Sequence, residues 1–230
     1  EFRPFIPVSM ERVQSDTPGP KDVQPDLVFD FSNSFVLSQI NEVCESDDVG
    51  INVADWYRFV RDAIRYDPYA IELDAKVLSA SMTLKRRSGH CIHKSVLFAT
   101  GLRALGVPSR LGLARVRNHL ATEKLERRLG TAVLVPHGYA AHWNGARWVK
   151  STPACSRELW ERLGTSPLAW SAEEDRVFQP TDGRGGQFME YLEDYGLFAE
   201  VPLEFLRERL RAEYPHCFTQ EVDWKLPPGV

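Results

Sequence analysis

A cysteine and two histidines stand at the start of an apolar stretch, SGHCIHKSVLFATGLRALGVPSR, residues 88–110. Apolar residues after Cys91 cover most of a helix circumference, so we predict a helix that is buried in the middle of the fold. A cysteine in the first turn of a helix lies at the positive end of the helix dipole, beside unpaired backbone N–H groups. That environment, together with a histidine, can lower the pKa of a thiol to roughly 3.5–7.5. Cys91 is therefore a candidate nucleophile, although a lone cysteine on an apolar helix is usually part of the core.

The second block that can do chemistry is HGYAAHWNGARWVKST, residues 137–152. Asn144-Gly145 between two extended runs is typical of a two-residue β-hairpin loop. Such a loop fixes the pairing of its strands, with Trp143 opposite Ala146 and His137 opposite Thr152. A thiol on a buried helix and an imidazole on a neighbouring hairpin are the pair that nucleophilic thiol chemistry needs.

The two histidines of this strand are predicted to lie on different faces. Side chains alternate along a strand, which puts His137 and Tyr139 on one face and His142 on the other. Pro136 has no backbone donor, so the beginning of the strand is expected to be an edge or a bulge, where a histidine can be accessible. His137 is therefore the histidine of this strand that is a candidate for chemistry, and Tyr139, which shares its face, is a candidate substrate-binding residue.

Other histidines are rivals for these roles. His90 precedes the helix, and we expect it to line the substrate cleft. His119, in VRNHL, is the rival base and a candidate part of the substrate wall, while His93 projects to another side of the helix and is expected to pack there. A metal site built from Cys91, His93 and His137 lacks a fourth ligand, and no acidic loop typical of calcium sites is present, so no metal is predicted.

Both blocks resemble one known family. GHCIHKSVLFATGLRALGVPSR is similar to the transglutaminase-like superfamily pattern in which Gly-x-Cys opens a helix, and HGYAAHWNGARWVKSTPA is similar to its second motif, a histidine on a strand followed by Trp and Asp-Pro-Thr. The match covers residues 80–155, and VRNHL and MEYLEDYGLFAEVP also resemble a bacterial branch of these proteins. The resemblance implies an α+β, papain-like fold in which a central Cys-bearing helix packs on an antiparallel sheet.

The resemblance also implies roles for individual residues. Cys91 matches the nucleophile of the family, His137 its general base, and Thr152 the position that usually holds an aspartate. A threonine hydroxyl can orient an imidazole, but it supplies no charge to stabilise an imidazolium. Thr152 therefore acts as a weaker orienting group, another carboxylate such as Asp175 or Asp182 reaches in, or catalysis has been lost.

Composition limits the other classes of function. The net charge of −4 and the pI near 5.9 argue against a nucleic-acid binder, and no apolar run is long enough to span a membrane. The first residues lack the pattern of a secretory signal. The four cysteines lie far apart, which is a poor disulfide framework, so we predict free thiols and a cytoplasmic location.

Five prolines in residues 1–27 predict an N-terminal arm, followed by a single domain over 28–230. Periodicity predicts helices within NSFVLSQINEVC, NVADWYRFVRDAIRYDPY, residues 73–83 and ATEKLERRLG, and a strand at SRLGLARV. The segment GRGGQFMEYLEDYGLFAEVPLEFLRERLRAEYP is predicted as a turn and one or two amphipathic helices.

The predicted function is attack of Cys91 on an amide or thioester carbonyl, formation of an acyl-enzyme, and transfer of the acyl group to water or an amine, without a cofactor. The substrate is a peptide, amide or thioester. One alternative is a biosynthetic acyltransferase or cyclase that takes its acyl group from a carrier-bound thioester, with Lys85, Arg86 and Arg87 contacting the carrier. The other is a catalytically silent binding protein with the same fold. The sequence leaves the oligomeric state open.

Overall fold

The computed structural model describes residues 16–119, 123–162, 166–177 and 189–217. The sheet has four antiparallel strands in the order β5-β4-β3-β6. The strands are β3 (Ser109–Asn118), β4 (Val133–Trp143), β5 (Trp148–Ser151) and β6 (Met189–Phe198). A separate parallel ladder joins β1 (Arg65–Tyr66) to β2 (Ser88–Gly89).

Helices precede and flank this sheet. They are α1 (Ser34–Val43), α2 (Val49–Ala63), α3 (Ala75–Leu78), α4 (Ala80–Arg86), α5 (Cys91–Ala104), α6 (Glu123–Leu129), α7 (Arg157–Arg162) and α8 (Leu203–Glu213). The predicted α+β class is confirmed, with the Cys-bearing helix α5 packed on an antiparallel sheet.

The central helix α5 begins and ends where the sequence predicts. His90 is its N-cap, and its ring Nδ1 accepts a hydrogen bond from the Ile92 N–H at 3.2 Å. At the other end, Gly106 adopts a positive φ of 76°, and its N–H and that of Val107 donate to the carbonyls of Arg103 and Leu102. This pair of bonds is the Schellman motif, which glycine favours because it has no Cβ.

Two predicted elements near α5 differ in detail from the structure. The helix expected over residues 73–83 is divided into α3 and α4, because Ser79 is extended and caps α4 through a hydrogen bond from the Met82 N–H. The helix predicted in ATEKLERRLG is α6, and Gly130 follows it with a φ of 71°.

The predicted hairpin register is wrong by two residues. Trp143 pairs with Trp148, and Ala140 pairs with Ser151, so four residues rather than two form the loop. The side-chain oxygen of Asn144 accepts from the N–H groups of two loop residues and closes this longer turn. A shift by two preserves the faces of the strands, so Thr152 still lies on the His137 side, although not directly opposite it.

The prediction of a helix over MEYLEDYGLF is also wrong, since this segment is strand β6. It pairs with β3 through two register shifts, one between Leu113 and Ala114 and the other between Arg115 and Val116. Each shift leaves one extra residue on β6, and these bulges interrupt the period-two alternation by which a strand is recognised.

Hydrophobic clusters cover both faces of the sheet. Leu111 and Leu113 face α5 and belong to the larger cluster. Ala114, Val116 and Tyr139 belong to a second cluster with side chains that include Trp160, Leu168 and Met189. His137 pairs with Ala114 and therefore lies on the second face.

The first described segment is fixed to the sheet by a buried ion pair. Asp22 accepts two hydrogen bonds from Arg110 of β3, at 2.7 and 2.8 Å, and both side chains are 2% exposed. Residues 1–15 of the predicted arm, and residues 178–188 and 218–230 of the predicted domain, lie outside the described residues. No helix within the described ranges is long and apolar enough to cross a bilayer.

Candidate active site

The sulfur of Cys91 lies beside the unpaired edge of strand β4. Cys91 is the first residue of α5, and it is 6% exposed. The Gly138 N–H donates to Sγ at 3.2 Å, in the part of β4 that β5 does not reach, because β5 pairs only with residues 140–143. A Cβ at position 138 would lie 2.8 Å from the Ile92 Cα, so only glycine allows β4 to come this close to α5.

Burial keeps Cys91 in its neutral thiol form. Loss of hydration raises the pKa of this thiol to about 11, although the backbone N–H groups of Gly138, Ile92 and Cys91 itself oppose the rise. The sequence predicts a lowered pKa from the helix terminus and an imidazole. The structure shows the opposite shift, because burial outweighs the three N–H dipoles and no charged imidazolium is present.

His137 is buried on the second face of the sheet, one residue before the glycine that bonds the sulfur. It is 1% exposed, and burial lowers its pKa to about 4, so the ring is neutral at pH 7. Neither ring nitrogen has a hydrogen-bond partner within the described residues, so His137 is bonded neither to Cys91 nor to Thr152 there. Its ring is nearly perpendicular to that of Tyr191 of β6, with centroids 6.3 Å apart.

Thr152 lies next to this imidazole but is held through its backbone. Its N–H donates to the Arg176 carbonyl at 3.0 Å, and its carbonyl accepts from the Tyr57 hydroxyl at 2.9 Å. Thr152 and His137 line the same small cavity, of about 10 Å³. Burial raises the pKa of Tyr191, and the neighbouring Thr152 side chain opposes the rise. The side chains of Thr152 and Tyr191 therefore both lie next to the His137 ring.

The carboxylates considered as substitutes are not at this position. Asp175 accepts from the Lys150 N–H at 3.0 Å and pairs with Arg147 at 2.9 Å in an exposed part of the structure. Asp182 lies outside the described residues. The described part of the site therefore contains no carboxylate partner for His137.

His90, which the sequence predicts to line the cleft, lies beside the Cys91 sulfur. It is 5% exposed, its Nδ1 lies 4.0 Å from the Cys91 sulfur, and it shares a pocket with it. Since Nδ1 already accepts from Ile92, the neutral ring carries its proton on Nε2. Burial and the neighbouring His93 and His137 lower the pKa of His90 well below its ordinary value. His93 packs edge to face against His90 at 4.3 Å.

The other two predicted substrate residues lie away from the sulfur. His119 follows the exposed end of β3, with Nε2 3.8 Å from a Glu190 carboxylate oxygen. Tyr139 is fully buried, and its hydroxyl donates to Asp194 at 2.8 Å. Neither residue is among those that line the two pockets described below.

A buried lysine near the site was missed from the sequence. Lys94, on the turn after Cys91, donates to the carbonyls of Arg61 and Ile64 at 2.9 and 2.7 Å. Burial lowers the pKa of Lys94 to about 7, while Cys155 and Asp62 oppose this. Burial also raises the pKa of Cys155 to about 11, which Lys94 opposes. The sequence pattern shows that Lys94 lies on an apolar helix, but it does not show that its ammonium is buried against the Arg61 and Ile64 carbonyls.

Two separate pockets border the candidate site, one at Cys91 and one at His137. The larger one, of about 50 Å³, is lined by Cys91 and His90 together with apolar side chains. These include Ile71, Leu73, Leu125, Leu129, Leu134 and Leu210. The smaller one holds His137 and Thr152, and its wall includes Cys155 and Trp160. Cys91 therefore borders an apolar pocket, and the imidazole occupies a separate cavity.

No group of three or more histidine, cysteine, aspartate or glutamate side chains within the described ranges is arranged to hold a metal ion. The four cysteines are all free.

Comparison with known proteins gives one family. Residues 41–153 match the model of the transglutaminase-like superfamily, and this segment includes Cys91, His137 and Thr152. No curated protein matches the chain.

Two solved structures are similar to the chain. A candidate cysteine protease from Cytophaga hutchinsonii is 15% identical, with a TM-score of 0.45 over 76% of this chain and 57% of that one. The periplasmic domain of TgpA from Pseudomonas aeruginosa is 22% identical, with a TM-score of 0.38 over 53% of this chain and 42% of that one. The chain thus spans less than two thirds of the length of either.

Proposed function

Because residues 41–153 belong to the transglutaminase-like superfamily, a cysteine-based catalytic fold, we propose that Cys91 is a nucleophile that transfers acyl groups through an acyl-enzyme. The observation that carries the proposal is the Gly138 N–H, which points at the Cys91 sulfur from the residue next to His137. The sulfur and this backbone donor lie at the N-terminus of one buried helix, and the proposed base is the residue next to the donor. The substrate is an amide or a thioester.

In the first step the Cys91 sulfur attacks the carbonyl carbon, and His137 accepts the thiol proton. The carbonyl oxygen becomes an oxyanion, and the N–H groups of Cys91 and Gly138 are the donors nearest to it. The bond to the leaving amine or thiol then breaks, and the imidazolium of His137 protonates that group. Water or an amine attacks the thioester in the second step and releases Cys91.

The resting site makes this proton transfer part of the attack rather than a step before it. A thiol with a pKa of about 11 and an imidazole with a pKa of about 4 do not exchange a proton on their own. Transfer becomes favourable as negative charge moves from the sulfur to the carbonyl oxygen. Thr152 supplies no charge for the imidazolium, so this site operates with a weaker orienting group than an aspartate.

The neutral pair also favours the second candidate, a silent binding protein with the same fold. In that case the unpartnered His137 and the buried sulfur are parts of the core and do no chemistry. A carrier-dependent acyltransferase is a third reading. Its support is the charge of Lys85, Arg86 and Arg87, which are exposed at the end of α4, and it predicts binding to an acidic partner that weakens with salt.

The test is acylation of the protein by p-nitrophenyl acetate, followed by release of p-nitrophenolate and by intact mass. We expect one acetyl group on Cys91, and its loss in Cys91→Ser. His137→Gln is expected to slow acylation by about 10²–10⁴-fold, the usual contribution of a general base.

Cys44→Ser is the matched control, because burial raises the pKa of Cys44 to the same value of about 11. This variant should acylate normally. Equal labelling of Cys91 and Cys44, or labelling that does not depend on His137, would reject the nucleophile and leave the binding protein as the better reading.

The absence of a cofactor, the lack of nucleic-acid and membrane partners, and the cytoplasmic location remain predictions from the sequence.

A further inference from the structure

The pocket beside Cys91 is apolar on nearly all sides. Its polar members besides the sulfur are His90, Tyr66 and Tyr214. The Tyr214 hydroxyl is already engaged, since it accepts from the Val135 N–H at 2.8 Å and donates to the Val133 carbonyl at 2.7 Å. Burial keeps Tyr66 protonated and His90 neutral. Among the described residues no charged side chain lines the pocket, so a charged or strongly hydrated group would lose its hydration there without compensation.

The position of His137 decides which part of a substrate enters this pocket. A leaving group must be protonated by His137, and His137 lines the other cavity. The leaving group therefore departs toward the second face of the sheet. The acyl part, which stays bonded to the sulfur, must extend to the other side, where Cys91 and His90 border the apolar pocket.

We propose that this pocket binds a short apolar acyl group and so selects the acyl donor. The proposal rests on the proposed function of Cys91. The short length follows from the volume, since a pocket of about 50 Å³ is only a few times larger than the roughly 10–15 Å³ that one water-sized group needs. Branched aliphatic side chains and short unbranched acyl chains both fit this description.

The walls of the pocket come from distant parts of the chain. Leu134 belongs to β4, Leu125 and Leu129 to α6, and Leu210 to α8. Leu125, Leu129 and Leu210 are at most 6% exposed, so they are held in place by the surrounding core.

The test uses p-nitrophenyl esters of acetate, butyrate, pentanoate, octanoate and succinate. In each reaction the sulfur forms a thioester bond, and the bond from the carbonyl carbon to p-nitrophenolate breaks. The acylation rate should rise by up to about fourfold for each buried methylene, which corresponds to roughly 0.8 kcal/mol. It should peak at butyrate or pentanoate and fall for octanoate and for the charged succinate. An acylation rate that is independent of chain length, or that is highest for the octanoate ester, would overturn the proposal that this pocket selects short acyl groups.

Leu210→Ala and Leu206→Ala form a matched pair on α8. Leu210 lines the pocket, whereas Leu206 is equally buried in the core but is not a lining residue. Both variants lose stability through a cavity. Only Leu210→Ala should move the optimum toward longer acyl groups. A shift of the same size in Leu206→Ala would mean that looser packing, rather than the pocket, sets the preference.

A second probe separates the pocket from catalysis. Alkyl methanethiosulfonates form a disulfide with the thiolate and release methanesulfinate, so they need neither an oxyanion site nor His137. If p-nitrophenyl acetate acylates Cys91 but the thiosulfonates show no chain-length optimum, the pocket proposal fails and the function stands. If the thiosulfonates show the optimum but no ester acylates Cys91, the acyl-transfer function fails, and the acyl-donor role of the pocket fails with it.

Discussion

The chemistry of single residues in this site depends on burial more than on dipoles. Three nearby backbone N–H groups favour the thiolate of Cys91, yet burial raises its pKa to about 11. His137 has no opposing charge nearby in the described part of the chain, and burial lowers its pKa to about 4. Both shifts favour the neutral forms, which is the expected result when two ionisable groups leave water without a carboxylate to stabilise one of them.

This balance predicts the reactivity of Cys91 in the absence of substrate. Alkylation by iodoacetamide should be slow at pH 7 and should increase with pH up to about 11, because only the thiolate reacts. Mass spectrometry of each cysteine gives the rate. An apparent pKa below 8 for Cys91 would show that a thiolate–imidazolium pair exists, in conflict with the neutral pair.

The missing charge at position 152 can be supplied by substitution. In Thr152→Asp a carboxylate enters the cavity that holds His137, and it should raise the pKa of this histidine from about 4, because an opposite charge favours the imidazolium. NMR titration of the histidine ring resonances measures the shift. Thr152→Asn has a similar size without the charge and should leave the pKa near its present value.

At the scale of elements, α5 does more than carry Cys91, because it also closes the end of α2. The ammonium of Lys94 donates to the carbonyls of Arg61 and Ile64, in the last turn and at the C-cap of α2. These carbonyls have no partner within their own helix, and a buried donor satisfies them.

The lowered pKa of Lys94 predicts a dependence of stability on pH. Between about 7 and its ordinary value of 10.5, the unfolded chain binds a proton at Lys94 that the folded protein does not. The free energy of unfolding should therefore rise with pH in this range, by at most about 1.4 kcal/mol per unit from this group. Urea unfolding at pH 7, 8 and 9 measures the slope.

Lys94→Met should be less stable at every pH, since two buried carbonyls lose a donor. It should also lose this part of the slope. If the wild type and Lys94→Met show the same pH dependence, Lys94 is charged in the folded protein throughout the range.

The elements that the sequence predicts well are those with local signals. Helix α5 is recognised because its apolar surface is continuous and because Gly106 and Pro108 end it. Strand β6 is not recognised, because two bulges break its alternation, and bulges are set by pairing with β3, a contact between distant residues. The hairpin is recognised, but Asn144 closes a four-residue loop with its side chain where the Asn-Gly pair predicts two residues.

The candidate site is predicted only in part for the same reason. The motifs place Cys91 and His137 on neighbouring elements, and the alternation of side chains along paired strands puts Thr152 on the same face as His137. Burial, which sets the pKa values, depends on packing from every direction and has no local signal. The apolar pocket also depends on α8, which lies outside the family match over residues 41–153.

On the scale of the whole molecule, a long-range ion pair connects the first described segment to the sheet. Asp22 and Arg110 are both buried, are joined by two hydrogen bonds and lie far apart in sequence. Arg110 also stacks on the Trp148 ring of β5 at 4.1 Å. The segment before α1 is thus part of the folded structure at this point.

Asp22→Asn should lower the free energy of unfolding by about 3–5 kcal/mol, because it leaves the buried guanidinium of Arg110 without its countercharge. Urea unfolding measures the change. Lys21→Ala is the control, since Lys21 pairs with Glu200 on an exposed surface, where such a bond contributes about 1 kcal/mol or less. Equal effects of the two variants would show that Asp22 is hydrated in solution.

The buried, neutral sulfur of Cys91 has a consequence for how the protein survives oxidants. Peroxide converts thiolates, not thiols, to sulfenic acid, and it does so fastest where the sulfur is accessible. Because the Cys91 sulfur is 6% exposed and protonated at pH 7, we expect it to resist this oxidation when no substrate is bound. Under the proposed function, Cys91 becomes nucleophilic only when a bound carbonyl draws its proton away, and it is inert between turnovers.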